Sequence, residues 1–168
     1  MAPKKRILFV CTGNTCRSPM AEALARRYLG DDQVDVFSAG LFAIEGENAS
    51  PEAQLVLEEE GIDLSGHRAR ILTQEMLDQS DLILTMTRAH KKMLLSLYPE
   101  HGQKVWTLKG WVASLKGEAI DIDNEDIPDP FGYDVSVYAK TRDELKTLIL
   151  DVQNIQKKHG EWKSEAEA

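Results

Sequence analysis

Cys11 and Arg17 stand in the spacing C-x5-R within the run Cys11-Thr12-Gly13-Asn14-Thr15-Cys16-Arg17-Ser18, directly after the apolar stretch Ile7-Leu8-Phe9-Val10. A loop that joins a buried strand to a helix turns successive backbone N–H groups inward. It adds the positive end of the helix dipole, and together these make an anion cradle. Arg17 supplies a planar fork for two phosphate oxygens. Thr12, Gly13, Asn14, Thr15, Cys16, Arg17 and Ser18 are therefore the expected phosphate-binding residues, with Gly13 expected where a Cβ would obstruct the turn. Cys11 points into the same concavity. A free thiol has a pKa of ~8.5, and a helix N-terminus beside a guanidinium lowers it to ~3.5–7.5. A cradle that stabilises phosphate thus stabilises a thiolate, placed for in-line attack on phosphorus and a phosphocysteine intermediate. No metal or other cofactor is required, because N–H dipoles and Arg17 stabilise the charge on the transferring group.

Attack alone is not enough; the leaving atom needs a proton. Asp129 lies between Pro128 and Pro130, whose fixed φ angles preset the turn around its carboxyl group. Such a group can act as general acid on the leaving atom and then activate the water that frees phosphate. The expected catalytic set is Cys11, Arg17 and Asp129.

The elements that must hold these residues follow from pattern. Ile7–Val10 reads as a strand buried on both faces, and Ser18-Pro19 as a cap and first position of a helix that Gly30 closes. Val34–Phe37 is a second strand, Ser50-Pro51 opens a helix stopped by Gly61, and Thr73 caps a short helix through Leu77. Asp81–Met86 is a third strand, Arg88–Leu97 a helix, Lys104–Leu108 a fourth strand, and Val135 to about Lys158 a long amphipathic helix. Strands alternating with helices imply an α/β fold with a parallel sheet. One domain over 1–168 is expected, with an acidic loop at about 116–127 and a frayed acidic tail at 160–168. The loop reads as solvated, although it runs on into Pro128-Asp129-Pro130.

Composition removes other classes. Lys and Arg number 20 against 28 Asp and Glu, giving a net charge of −8, so neither nucleic acid nor an acidic membrane is an expected partner. Two cysteines cannot build a disulfide scaffold or a four-ligand zinc site without help from the four histidines. The four-residue apolar run is too short for a signal peptide, whose core needs ~7–15 residues. A cytoplasmic monomer is expected. Neither a Walker A run nor G-x-G-x-x-G is present.

C-x5-R-S after the first strand, Ser38-Ala39-Gly40 after the second, and Asp129-Pro130-Phe131-Gly132 before the last helix resemble the low-molecular-weight protein phosphatases. The resemblance covers Ile7 to about Gln156. It implies a three-layer αβα fold with a four-stranded parallel sheet of flavodoxin-like order. It implies Cys11 as nucleophile, Arg17 as phosphate clamp and Asp129 as general acid and base. Asn14 and Ser18 would support the loop and thiolate, with Ser38 and His67 behind them. Partners would be phosphorylated proteins, with inorganic phosphate as product. Cys16 matches a second cysteine of many members. Oxidation joining it reversibly to Cys11 would shield the nucleophile; the alternative is that it packs behind the loop.

Thr15, Phe42 and Phe131 are the expected substrate-pocket residues. Tyrosine-directed members carry a larger apolar residue at the position of Thr15 and two aromatics after Asp-Pro, where this chain has Phe131-Gly132. Members directed at phosphoarginine share the T-G-N-T-C-R-S-P-M-A-E run and D-P-F-G, so phosphoarginine is the favoured substrate and phosphotyrosine the alternative. Phe42 reads equally as core packing. Two other classes stay open: an FMN-binding electron carrier holding phosphate on Thr12-Gly13-Asn14-Thr15, and a phosphopeptide-binding module without catalysis. Arsenate reduction is set aside for want of further cysteines. Arg88, His90, Lys91 and Lys92 read as a solvated helix face. Trp106, Trp111 and Trp162 read as packing, with no evident partner for Trp162.

Overall fold

The computed structural model describes residues 3–30, 32–159 and 162. Strands β1 (Lys5–Cys11), β2 (Val34–Gly40), β3 (Leu82–Thr85) and β4 (Val105–Thr107) form one parallel sheet in the order β2-β1-β3-β4. Parallel neighbours need crossovers, which α1 (Arg17–Leu29), α2 (Pro51–Glu58), α3 (Gln74–Gln79) and α4 (Arg88–Leu97) supply. Helices α5 (Leu108–Lys116) and α6 (Val135–His159) follow the last strand.

Successive strand residues point to opposite faces, so β1 feeds two cores. Ile7 and Phe9, with Leu84 of β3, cluster with Met20 and Leu24 of α1, Trp111 of α5 and Leu145 of α6. Leu8 and Val10, with Ile83, cluster with Leu77 of α3 and Leu94 of α4. This is the expected three-layer αβα arrangement with flavodoxin-like strand order. Burial on both faces is why β1 and β3 read as unbroken apolar runs.

Hydroxyl caps set several helix starts. Ser50 accepts from the Ala53 N–H at 3.3 Å, Thr73 from Met76 at 3.2 Å and Thr87 from His90 at 3.0 Å. The expected cap at Ser18 is corrected: α1 begins two residues earlier than expected, at Arg17 rather than Pro19, and Cys16 holds the cap position without a side-chain bond. Ser18 is turned to other work, described below. The strand read over Lys104–Leu108 is also shortened, because Thr107 caps α5 by accepting from the Gly110 N–H at 3.0 Å. Leu108, Trp111, Val112 and Leu115 are the buried face of that unforeseen helix. Gly110 weakens the helical pattern, yet a Cβ there would lie 2.6 Å from Thr107 Oγ1 and 3.1 Å from Glu125 Oε1.

Residues 116–124 of the acidic segment are exposed, as its composition implies, and its end is tied down. Glu125 accepts from Thr107 Oγ1 at 2.7 Å and pairs with Arg88 at 3.5 Å, and Asp126 accepts from the Arg88 N–H at 2.8 Å. The Ile127 N–H reaches the Met86 carbonyl at 2.9 Å. These bonds hold the chain that leads into Asp129. Trp162 gains its partner by stacking on Trp111, with ring centroids 6.3 Å apart. The rest of the tail at 160–168 lies outside the described residues. No helix among the described residues is long and apolar enough to cross a membrane.

Candidate active site

The loop of residues 12–16 leaves the carboxyl end of β1, one of the two central strands, which is where open parallel sheets bind ligands. Its hub is Asn14, fully buried and left-handed at φ 57°. Asparagine tolerates that conformation better than most residues. Asn14 Nδ2 donates to Ser18 Oγ at 2.8 Å and to Ser38 Oγ at 2.9 Å, while Oδ1 accepts from the Arg70 N–H at 3.0 Å. His67 Nε2 donates to the Asn14 carbonyl at 2.8 Å. Three of the expected supporting residues, Ser18, Ser38 and His67, thus meet at the fourth, Asn14, the first two on its side chain and His67 on its backbone carbonyl.

The expectation for Gly13 is corrected. A Cβ there would meet only Thr15 Oγ1, at an ordinary 3.8 Å, and its φ is not positive. The turn is tight elsewhere, at Asn14 and against Gly40, where a Cβ would come within 2.5 Å of the Thr12 carbonyl oxygen.

Cys11 Sγ lies 2.8 Å from Ser18 Oγ and 3.3 Å from the Asn14 N–H. Burial pushes its thiol pKa up, opposed by the Ser18 hydroxyl and then by the Arg17 charge. This corrects the expected lowering: the thiolate-stabilising groups are present, but desolvation of a fully buried sulfur outweighs them. Arg17, buried in the first turn of α1, donates to the Ile127 carbonyl at 3.0 Å and pairs with Asp129 at 3.4 Å. Asp129 is half exposed, and its Oδ1 accepts from the Phe131 N–H at 3.1 Å. One guanidinium therefore joins the phosphate loop to the proline-flanked turn.

These groups line a cavity of about 240 Å³ formed by Cys11, Thr12, Gly13, Thr15, Cys16, Arg17, Glu47, Asp129 and Phe131. A larger surface hollow of about 490 Å³, beside Arg26 and Ile62, is not lined by either cysteine. Phe42 does not line the small cavity. It is 63% exposed, which rules out core packing, while its N–H donates to the Thr12 carbonyl at 2.9 Å. Cys16 is buried, with Sγ 3.3 Å from the Tyr138 hydroxyl and 3.5 Å from Ser50 Oγ. Both cysteines are free thiols. Among the described residues no three His, Cys, Asp or Glu side chains converge as metal ligands.

Sequence reasoning missed two residues here. Glu47, an exposed carboxylate on the cavity wall, sits in an irregular stretch that no periodicity orders. His90 is not on a solvated face: it is buried, with Nε2 2.8 Å from Thr12 Oγ1. The only local signal was its i, i+4 spacing to buried Leu94.

The arrangement offers a nucleophile, an anion clamp and a proton donor in one cavity. Residues 6–160 match the family of low molecular weight phosphotyrosine protein phosphatases. A protein-arginine-phosphatase of Geobacillus stearothermophilus is 48% identical over 147 residues, covering 86% of this chain and 90% of that protein. The low molecular weight protein-tyrosine-phosphatase PtpB of Staphylococcus haemolyticus is 40% identical, covering 86% and 94%. A solved cysteine-to-serine mutant of an arginine phosphatase, carrying a phosphorylated active site serine, superimposes with a TM-score of 0.80. It is 40% identical, over 91% of this chain and 96% of the other.

Proposed function

This chain belongs to the low molecular weight phosphotyrosine protein phosphatase family and is a cysteine-dependent protein phosphatase, and from that premise we propose that it dephosphorylates phosphoarginine in proteins through Cys11, Arg17 and Asp129. The observation that carries the site is that Cys11, Arg17 and Asp129 line one cavity, with the last two 3.4 Å apart. The Cys11 thiolate attacks phosphorus, the bond from phosphorus to the leaving atom breaks, and Asp129 gives that atom its proton. Water then attacks the phosphocysteine and returns a proton to Asp129, releasing inorganic phosphate and the Cys11 thiolate. Inward N–H groups of residues 12–16 and the Arg17 fork stabilise the transferring oxygens.

Phosphoarginine is favoured by what surrounds the leaving group. Thr15 brings a hydroxyl to the wall, and Phe131 is its single aromatic. Asp129 and Glu47 add two carboxylates. Carboxylates pair with a branched guanidinium, whereas a phenyl ring would desolvate them without return. The names borne by the relatives agree with both substrates, so phosphotyrosine is the second reading. Cys16, which lines the same cavity as Cys11, remains its proposed redox partner. A single 1–168 domain acting as a cytoplasmic monomer, without nucleic acid or membrane, is in keeping with the net charge of −8.

The test compares phosphate release from a phosphoarginine peptide and a phosphotyrosine peptide by wild type, Cys11→Ser and Thr15→Ile. Wild type prefers phosphoarginine, Cys11→Ser releases nothing, and Thr15→Ile moves the ratio toward phosphotyrosine. An unchanged ratio in Thr15→Ile contradicts the role given to that residue. A wild-type preference for phosphotyrosine overturns the substrate and leaves the mechanism standing.

A further inference from the structure

The first turn of α4 touches both halves of the site. Its Arg88 N–H is bonded to Asp126 at 2.8 Å, and the Arg88 side chain pairs with Glu125 at 3.5 Å, which anchors the segment leading to Asp129. Two residues on, the His90 N–H is held by Thr87 Oγ1 at 3.0 Å, and His90 Nε2 lies 2.8 Å from Thr12 Oγ1. Thr12 follows the cysteine and lines the cavity. Its carbonyl already receives the Phe42 N–H at 2.9 Å, so the His90 bond fixes the remaining freedom of the residue, its side chain.

The ring is a poor choice as mere filling. His90 is 8% exposed, yet its Nδ1 is buried with no hydrogen-bond partner. A buried polar atom without a partner is destabilising, and an apolar ring of similar size would avoid that cost. Burial, followed by the Arg17 charge, holds the imidazole pKa down to about 4 against the opposite pull of Asp129 and Asp126. The ring is therefore neutral at pH 7 and adds no charge beside the phosphate cradle.

We propose that His90 is a positioning residue for phosphoryl transfer, locking the Thr12 side chain so that the loop keeps the geometry that receives phosphate next to the segment bearing Asp129. The inference rests on the reading of the Cys11 loop as the phosphate site.

The test uses the full chain with His90→Phe, His90→Gln, Thr12→Val and the double variant Thr12→Val/His90→Phe. Inhibition by inorganic vanadate, kcat and KM on one phosphopeptide, and the thermal midpoint are read for each. His90→Phe melts at or above wild type yet loses about tenfold in kcat/KM and in vanadate affinity, the size of one lost positioning bond. His90→Gln, which can still reach Thr12, stays within about threefold of wild type. Thr12→Val reproduces the loss, and the double variant loses no more than either alone, because both remove one interaction. If His90→Phe fails to fold, Thr12→Val and His90→Gln still decide the matter. Wild-type kcat/KM and vanadate affinity in His90→Phe or in Thr12→Val overturn the inference alone, as does full additivity in the double variant. A wild type that releases no phosphate, or a Cys11→Ser variant that still does, overturns the phosphate-site reading and this inference with it.

Discussion

Two parts of one cavity are built differently. On the nucleophile side Cys11, Asn14 and Ser18 are 3% exposed or less, and each is held by its neighbours, Asn14 alone by three side-chain bonds. On the leaving-group side Asp129 is half exposed, Phe131 is 70% exposed and Glu47 is open to solvent. In the proposed mechanism the inner half meets the same phosphate in every substrate, so rigidity there costs nothing in range and supplies preorganised donors. The outer half meets whatever carried the phosphate, and its exposed side chains can be exchanged without disturbing the core. Arg17, buried in the first turn of α1 beside the loop, reaches the leaving-group segment through Ile127 and Asp129.

That contrast can be broken by substitution. Asp129→Asn should have the largest effect, lowering kcat by about 10²–10⁴-fold, the usual contribution of a positioned general acid. Because Asp129 is half exposed, its thermal midpoint should stay near wild type; a large drop would mean that the outer half is structural after all. Asn14→Ala should do the reverse in kind. It leaves buried partners unbonded and keeps a left-handed backbone, so roughly 3 kcal/mol or more of stability should be lost, read by denaturant unfolding. Unchanged stability would deny that Asn14 is the hub. Ser18→Ala should be milder still, about tenfold in kcat/KM at pH 6. The Ser18 hydroxyl is the leading influence lowering the Cys11 pKa, so without it the thiol is held higher. The thiolate then forms only at higher pH, and the acid limb of the pH–rate profile should move upward, with activity recovering as pH rises. A limb that stays in place, or moves downward, would remove Ser18 from thiolate stabilisation.

The same contrast explains what could be read from sequence. The β1–loop–α1 unit was legible because strand, nucleophile, clamp and helix are contiguous, and Pro128 and Pro130 mark Asp129 by local stiffness. The supporting task of Asn14 came only with the family resemblance, because its partners Ser38, His67 and Arg70 lie on other segments and local spacing does not pair them. Gly13 drew attention as the glycine of the loop, whereas the strained backbone belongs to Asn14. His90 was hidden in a basic run whose neighbours face solvent, because the bond that buries it reaches a residue 78 positions away. Helix α5 was lost to Gly110, where a side chain would run into the capping hydroxyl of Thr107 and then into Glu125 across a loop. Where a role depends on a bond between distant segments, as for His90 with Thr12 and Asn14 with Arg70, local spacing carries no trace of it.

The central claim is that phosphate passes through Cys11. It is tested most directly by mixing the wild-type protein and Asp129→Asn with a phosphate-labelled phosphoarginine peptide, quenching under denaturing alkaline conditions, and mapping the label by peptide mass spectrometry. The account predicts a phosphoryl group on the peptide containing Cys11, more abundant in Asp129→Asn because the water-activating carboxylate is gone, whereas Cys11→Ser releases no phosphate and any label it holds sits at that same position, as in the relative's serine mutant. Phosphate release at the wild-type rate by Cys11→Ser, or label on any other residue, would contradict it.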